Sequence, residues 1–316
     1  MNRILQGAIL LLASSVAAAQ GFPNRPLKLV VPLAAGGGTD LAARVVGAAL
    51  AERLGQPVVI ENRTGAGGVV GVEAVAKAPA DGYTFVIGSS TTMAANVFLY
   101  KDLPFDPMKD FVPLAMLGGI DFGLTVPASL PANNLREFIA YAKARPGKLS
   151  YGFGTSAALL CGELFKSMTG TDIVKVPYKG SPQSLTDLAA DRIQMVCEPF
   201  GTSMPFVKSG KMKVLASTNP MRSTHAPDVP TMTEQGLNMV HVTWAAFFAK
   251  AGTPPEALAK LRAELVAVQK QPGIPEKIRD TGFIPQPDDW QSLGATHRAD
   301  IARLEKLVKE TGIKPE

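Results

Sequence analysis

Short apolar runs alternate with helix-forming stretches along most of the chain. "LKLVVPL" precedes a helical stretch from Thr39 to Leu54, and "PVVIEN" and "TFVIG" continue the alternation, each followed by a turn rich in glycine or serine. A second series begins at "DFGLTVPASL", and the pattern from Pro255 onward is mostly helical. Repeats of this kind predict parallel sheets covered by helices on both faces. We therefore predict an α/β protein of two lobes, whose C-terminal helices pack on the first lobe.

Two strand-like runs, near residues 121–126 and 241–249, are placed to cross between the predicted lobes. We assign residues 20–121 and 249–316 to the first lobe and 122–248 to the second. The length of 316 residues is sufficient for two α/β domains. A double crossover predicts a hinge, and a cleft between hinged lobes is a common place for a ligand.

Residues 1–19 have the features of a cleaved signal peptide. Arg3 gives a basic start, an apolar stretch follows, and Ala17, Ala18 and Ala19 form a small-residue cleavage site. The apolar stretch is short for a membrane span, and no lipobox cysteine lies at the junction. We predict cleavage and export as a freely soluble periplasmic protein, which we expect to be a monomer.

The composition argues against several classes of partner. The 32 basic and 27 acidic residues give a net charge of +5, and only five Tyr and two Trp are available to stack on bases. A nucleic-acid surface is therefore not predicted, whereas a mild positive bias suits a protein that collects anions. Cys161 and Cys197 lie in apolar runs typical of buried thiols, and their spacing leaves a disulfide open. No zinc-ligand spacing is present, and we predict no metal or cofactor.

Three consecutive glycines, Gly36 to Gly38, lie between the first apolar run and its helix. They lack the Lys-Ser/Thr of a Walker loop, and Val70 falls where "GAGGVVG" would need the third glycine of a dinucleotide fingerprint. A strand-to-helix turn still leaves free backbone N–H groups that attract anions. Other predicted strands also end in small or polar residues, at Ser89–Thr92, Gly154–Ser156, Tyr178–Pro182 and Glu198. Because these ends converge in parallel sheets, we predict that donors from both lobes bind a small carboxylate.

The sequence does not support a catalytic site. No G-x-S-x-G motif is present, and His225, His241 and His297 do not lie near a glycine-rich turn. Asp40 and Glu198 could pair across a cleft, but a helix cap and a polar ligand contact suit them better. We predict that the protein is not an enzyme.

The run from "RPLKLVVPLAAGGGTDL" to "ADGYTFVIGSS" resembles the opening of the Bug family, the periplasmic solute receptors of tripartite tricarboxylate transporters. "LPFDPMKDFVPL", "VPYKGSPQSLTDLAADRIQM" and "AGTPPEAL" extend the resemblance over nearly the whole mature chain. It implies a two-lobe periplasmic-binding-protein fold of type II (Venus-flytrap) with a two-strand hinge. It also implies delivery of a carboxylated solute to the permease subunits of such a transporter. A periplasmic sensor built on the same binding module is the alternative, and an exported enzyme is disfavoured.

The family's contacts, carried over by position, and the turns found from the pattern imply the same site. Asp40 is expected to receive a ligand amino group or to orient its loop as an N-terminal cap. Leu159 lies where relatives often have a histidine, and with Phe153 it makes the second-lobe wall less polar. We therefore predict a ligand with an apolar or aromatic body and one carboxylate rather than a citrate-like tricarboxylate; the alternative is that Phe153 packs into its lobe. The predicted binding residues are Leu33, Ala35, Gly36, Gly37, Thr39, Asp40, Ser89, Ser90, Thr91, Phe153, Gly154, Thr155, Ser156, Ala157, Tyr178, Gly180 and Glu198.

Overall fold

Two separate β-sheets organise the fold. The computed structural model describes residues 21–287 and 289–311, and the predicted signal peptide lies outside the described residues. The strands are β1 (Leu27–Val31), β2 (Val58–Asn62), β3 (Thr84–Ser89), β4 (Phe111–Ile120), β5 (Phe122–Pro127), β6 (Leu149–Phe153), β7 (Ile173–Pro177), β8 (Met195–Pro199), β9 (Met212–Ser217), β10 (Thr243–Lys250) and β11 (Phe283–Pro285).

Helices follow most of the strands, as the alternating pattern predicts. They are α1 (Gly38–Leu54), α2 (Val69–Ala76), α3 (Asn96–Leu99), α4 (Leu135–Lys143), α5 (Ser156–Thr169), α6 (Ser181–Ala189), α7 (Phe200–Lys208), α8 (Pro255–Gln269), α9 (Ile274–Asp280) and α10 (Trp290–Thr311). A single 3₁₀ turn, Ala66–Gly68, precedes α2, and a π-helical turn, Thr91–Ala95, precedes α3. None of the helices within the described ranges is long and apolar enough to cross a membrane.

The strand order places most of the early strands in one sheet and the middle of the chain in the other. The first sheet has the order β11-β4-β10-β3-β1-β2, and the second has the order β7-β6-β8-β5-β9. In the first, β1 pairs in parallel with β2 and β3, and β10 pairs antiparallel with β3 and β4. In the second, β6 pairs in parallel with β7 and β8, and β5 pairs antiparallel with β8 and β9.

The return of the chain to the first sheet differs from the prediction. All of β10, from Thr243 to Lys250, pairs with β3 or β4. The chain therefore re-enters the first sheet before Thr243, and the predicted boundary between residues 248 and 249 was wrong. The apolar run of β10 is explained by burial on both faces of a central strand rather than by a crossing between lobes.

Alternation along β1 shows why helices are needed on both faces of the first sheet. Leu29 belongs to the same buried cluster as Val46 of α1 and Leu261 of α8. Its neighbour Val30 belongs to a different cluster, which Leu293 of α10 also joins. Successive side chains of a strand point to opposite faces, so each layer buries its own half of the apolar residues. The C-terminal helices thus cover the first sheet.

One buried carboxylate ties together the two connections between the sheets. Asp121 is the single residue between β4 and β5, and its side chain is fully buried. It accepts hydrogen bonds from Asn219 and Ser223, which belong to the return segment between β9 and β10. His225 of that segment lies 3.5 Å from Asp121 through Nδ1. The hydrogen bond with Asp121 raises the pKa of His225 more than burial lowers it.

The two cysteines form a disulfide, although their apolar surroundings favoured buried thiols. Cys161 of α5 and Cys197 of β8 are bridged, with their Cα atoms 6.2 Å apart. That separation lies within the range that a disulfide spans. The bridge links a helix to a central strand of the second sheet and closes a loop with a sequence separation of 36 residues.

Loss of this bridge is expected to destabilise the protein. Replacing both cysteines by alanine (C161A/C197A) should lower the free energy of unfolding by about 3 to 4 kcal/mol, because the unfolded chain regains the entropy of an open loop. Urea denaturation in non-reducing buffer measures the change. Dithiothreitol should destabilise the wild type and leave the double variant unaffected; equal sensitivity of the two proteins would contradict this assignment.

Candidate ligand-binding site

A cavity lies where the edges of the two sheets face each other. It contains about 730 Å³ of empty space, including its open mouth. The first lobe contributes the turn after β1, the end of β3, and residues of β4, β10 and β11, whereas the second lobe contributes the start of β5 and the turns after β6, β7 and β8. The lining residues are Leu33, Ala34, Gly37, Gly38, Thr39, Ser89, Thr91, Thr92, Ile120, Phe122, Thr155, Ala157, Gly180, Ser181, Pro182, Pro199, Thr202, Thr243 and Phe283.

The first turn of α1 opens into this cavity without a side-chain cap. Gly37 is the N-cap residue with extended backbone, and no side chain hydrogen-bonds the start of the helix. Gly36 has φ +80°, a conformation that favours glycine. Gly37, Gly38 and Thr39 all line the cavity. The uncapped N–H groups of a 17-residue helix therefore face the space between the lobes, where they favour an anion.

Asp40 is not the cap that the sequence predicted; it lies inside α1 and holds the glycine turn from behind. Its Oδ2 accepts the Gly36 N–H at 2.9 Å and Arg44 Nε at 3.0 Å, and its Oδ1 accepts Asn62 Nδ2 at 2.9 Å. Burial opposes ionisation, but bonds from Arg44, Gly36 and Asn62 outweigh it and lower the pKa of Asp40. The carboxylate is thus occupied by protein donors and does not line the cavity.

Hydroxyl groups are the polar side chains of the cavity. Among the described lining residues no side chain carries a charge. Several hydroxyls already have partners: Thr155 Oγ1 accepts the Ala158 N–H at 3.2 Å, and Thr202 Oγ1 donates to the Pro199 carbonyl at 2.9 Å. Across residues 21–287 and 289–311 no cluster of three or more His, Cys, Asp or Glu could hold a metal ion. The cavity can therefore bind a ligand through backbone dipoles, hydroxyls and apolar contact.

The lobes touch at the rim of the cavity. A Cβ atom added to Gly180 would lie 2.9 Å from the Cβ of Ala34, so the two lobes approach too closely for a larger residue at that position. Elsewhere Ser156 Oγ of α5 donates to Asn96 Oδ1 of α3 at 2.9 Å. These contacts join turns of opposite lobes and describe a closed arrangement of the cleft.

Enlarging Gly180 should weaken ligand binding by preventing closure. Gly180→Val should reduce affinity by about tenfold or more, which corresponds to about 1.4 kcal/mol or more, because the closed state binds ligand on both sides. The backbone at Gly180 is extended (φ 175°), so the variant should fold. Gly21→Val is the matched control, since nothing lies within 4 Å of its added Cβ. Calorimetric titration compares the two, and equal affinities would contradict the closure argument.

Several predicted second-lobe contacts line a neighbouring pocket instead. Phe153, Gly154, Ser156 and Tyr178 surround a space of about 530 Å³ that meets the main cavity only at Thr155. Phe153 is half-buried, with its ring centroid 6.1 Å from that of Tyr151. Phe153 thus lines the space next to the main cavity, and its contact with a ligand stays a prediction.

Glu198 lies behind the second-lobe wall rather than in it. Its side chain is fully buried, and Ser184 Oγ donates to its Oε1 at 3.3 Å. Burial raises the pKa of Glu198 to about 7, and the hydroxyls of Ser181 and Ser184 offset only part of this effect. Ser181 lines the cavity, so Glu198 is placed to support that wall. It does not reach the ligand space, in contrast to the prediction.

Stability should fall with rising pH because of Glu198. A carboxyl whose pKa rises from 4.5 to about 7 on folding stabilises the protein below pH 4.5 and loses this contribution as the pH passes 7. The loss amounts to about 3 kcal/mol for a shift of this size. In Glu198→Gln the difference between pH 5 and pH 8 should shrink by about this amount. Urea unfolding of both proteins at the two pH values tests it, and an unchanged difference would refute the assignment.

The structure thus divides the predicted site residues into three groups. Ala35, Gly36, Asp40, Ser90 and Glu198 line neither space; Phe153, Gly154, Ser156 and Tyr178 line the second pocket. The predicted residues that line the main cavity are Leu33, Gly37, Thr39, Ser89, Thr91, Thr155, Ala157 and Gly180. The sequence analysis missed Ile120, Phe122, Thr243 and Phe283, which reach the cavity from β4, β5, β10 and β11.

Comparison with known proteins identifies the fold and then the family. BugD, described as a periplasmic binding protein, has 30% identity and a TM-score of 0.88, covering 93% of this chain and 100% of its own. Rpa4515 of R. palustris, solved with adipate, has 37% identity and a TM-score of 0.90 over 93% and 100% of the two chains. The predicted α/β, two-lobe periplasmic-binding-protein fold is confirmed.

Sequence comparison gives the family directly. Residues 42–313 match the model of the tripartite tricarboxylate transporter family receptor. BugT of Bordetella pertussis is 36% identical over 303 residues, which cover 94% of this chain and 92% of BugT. The protein belongs to this family of solute receptors, and the predicted relation to the Bug proteins is confirmed.

Proposed function

We propose that the protein is a periplasmic receptor that binds a small carboxylate with an apolar body between its lobes and delivers it to a transporter permease. The observation that carries this proposal is the uncapped start of α1, which faces a cavity between the lobes without charged side chains among the described lining residues. Membership of the family supports the role in transport. Rpa4515, a relative solved with adipate, supports a carboxylate as the ligand class.

The anionic end of the ligand is best accommodated at Gly38 and Thr39, because the Gly37 N–H already donates to the Ala34 carbonyl at 3.3 Å. The backbone N–H groups there point out of the helix, and the helix dipole adds to their attraction for a negative charge. Hydrogen bonds to a charged group contribute about 1.5–3 kcal/mol each. Two of them contribute about 3–6 kcal/mol, and burial of the ligand's apolar surface supplies the rest of the affinity in this proposal, since the costs of association must be subtracted.

The body of the ligand is best accommodated by the apolar side chains of the same cavity. Leu33, Ile120, Phe122 and Phe283 line it together with the prolines of the second lobe. Burying apolar ligand surface against them is favourable at roughly 25 cal/mol per Å². A tricarboxylate such as citrate would bring further charges against these walls without a counter-charge, and burial of an unpaired charge is costly.

Closure of the lobes supplies the coupling to transport in this proposal. In the closed arrangement the second lobe contributes Thr155, Ala157 and Gly180 to the cavity, with Gly180 against Ala34 of the first lobe. A ligand that contacts both lobes binds the closed form better than the open form, and this difference shifts the population toward closure. A permease that distinguishes the closed form would thereby distinguish loaded from empty receptor.

A thermal-shift panel tests the proposed ligand class. Hexanoate, phenylacetate, adipate and citrate are compared at increasing concentration, with sulfate as the control for a nonspecific anion effect. A ligand that binds the folded state raises the melting temperature as its concentration rises. We expect phenylacetate or hexanoate to exceed citrate. A shift largest for citrate, or no shift with any carboxylate, would refute the proposal.

A further inference from the structure

The floor of the cavity is formed by the ends of several strands of the first sheet, and Thr243 lies in the middle of this floor. Thr243 of β10 is the register partner of Ile120 in β4, and Ile120 is in turn the partner of Phe283 in β11. On the other side β10 pairs with β3, where Ala245 lies opposite Ser89. Neighbouring strands are about 4.8 Å apart, so Thr243 sits between the apolar pair and the serine end of the floor.

Thr243 has an unusual hydrogen-bonding state for its position. The residue is 5% exposed and lines the cavity. Among the buried side-chain polar atoms of the described residues that line this cavity, its Oγ1 is the one without a hydrogen-bond partner. Ser89 and Thr92, by contrast, hydrogen-bond each other's backbone N–H groups through their hydroxyls. A buried hydroxyl without a partner is unfavourable, and native proteins leave few of them.

Alternation along β10 places the Thr243 side chain on the ligand side. Trp244 points to the opposite face, where its indole N–H donates to Asp300 of α10 at 3.0 Å. Thr243 therefore shares the face of Ala245, whose buried cluster contains the apolar residues of α1. The same face carries the start of α1, where the ligand carboxylate is expected.

The charged groups nearest to Thr243 are Asp300 and Arg303, which line a separate space with it and form an ion pair with each other at 2.6 Å, so neither balances a second anionic group in the ligand cavity. No side chain that lines the ligand cavity in the described part of the chain is charged. His241, two residues before the start of β10, is almost fully buried, and burial lowers its pKa to about 3. It is therefore neutral, and its ring packs edge-on against Phe122 with centroids 5.7 Å apart. A neutral ligand group suits this part of the floor better than a carboxylate does.

We propose that Thr243 is a specificity-determining residue whose hydroxyl binds a neutral oxygen, hydroxyl or carbonyl, on the body of the ligand. This inference rests on the proposed function, because it takes the carboxylate to be held at the start of α1. It narrows the ligand class to carboxylates that carry a hydroxyl or oxo group on an otherwise apolar body. Threonine both donates and accepts, so either kind of oxygen satisfies it.

Matched pairs of acids test the inference. Phenylacetate is compared with 4-hydroxyphenylacetate, and hexanoate with 6-hydroxyhexanoate, by calorimetric titration of the wild type, Thr243→Val and Thr243→Ser. The wild type should bind a hydroxylated member about tenfold more tightly than its partner, in keeping with one hydrogen bond at a buried site. Thr243→Val should abolish this preference, with the larger loss of affinity for the hydroxylated acid of each pair, whereas Thr243→Ser should retain the preference.

Two controls separate a ligand contact from a structural effect. Thr243→Val should melt at the same temperature as the wild type or higher, because it removes a hydroxyl that has no partner. Thr125→Val alters another fully buried strand threonine, whose hydroxyl donates to the Gly123 carbonyl at 3.4 Å and which does not line the cavity. It should leave the affinities for both members of each pair unchanged.

The possible failures are distinguishable. Equal affinity of the wild type for both members of each pair overturns the inference and leaves carboxylate binding intact. An equal loss of affinity for both members in Thr243→Val also overturns it, since a purely structural role or a bridging water would affect the two acids alike. Absence of binding by every acid, adipate included, overturns the proposed function and this inference with it.

Discussion

The buried carboxylate of Asp40 is the interaction on which the candidate site depends. It joins the glycine turn, the body of α1 and the end of β2 through Gly36, Arg44 and Asn62. Without these bonds, a turn with a glycine at φ +80° would sample many conformations, and its N–H groups would not point in one direction. Preorganised donors bind an anion with a smaller loss of conformational entropy. The charge of Asp40 thus acts behind the cavity wall and leaves the wall itself neutral.

The uncharged lining of the cavity affects which ligands it can tell apart. Charged side chains such as arginine bind many anions strongly, whereas helix N–H groups and hydroxyls have directional requirements. Their strength depends on exclusion of water, which the contact of Gly180 with Ala34 helps to provide. Selectivity in this cleft is therefore set by shape and by the placement of single hydroxyls more than by net charge.

The sequence predicted the architecture better than the details of the site. Alternating apolar runs and glycine turns were sufficient for two α/β lobes, because local periodicity reflects burial of strands and helices. The role of Asp40 was mistaken because Asn62 is a neighbour only across the sheet. Thr243 and Phe283 were missed because antiparallel strands from the last third of the chain bring them to the edge formed by β1 and β3. Glu198 was misplaced because a strand end does not reveal which face a side chain takes.

The bridge between Cys161 and Cys197 lies entirely within the second lobe, since it joins α5 to β8. Cytosolic thiols are kept reduced, whereas exported proteins meet an oxidising environment. A chain whose two cysteines are still reduced lacks this link, and its second lobe is then less stable than in the bridged protein. Formation of the bridge then raises the free energy of unfolding of that lobe, so the stability of the receptor is coupled to the redox state of its surroundings.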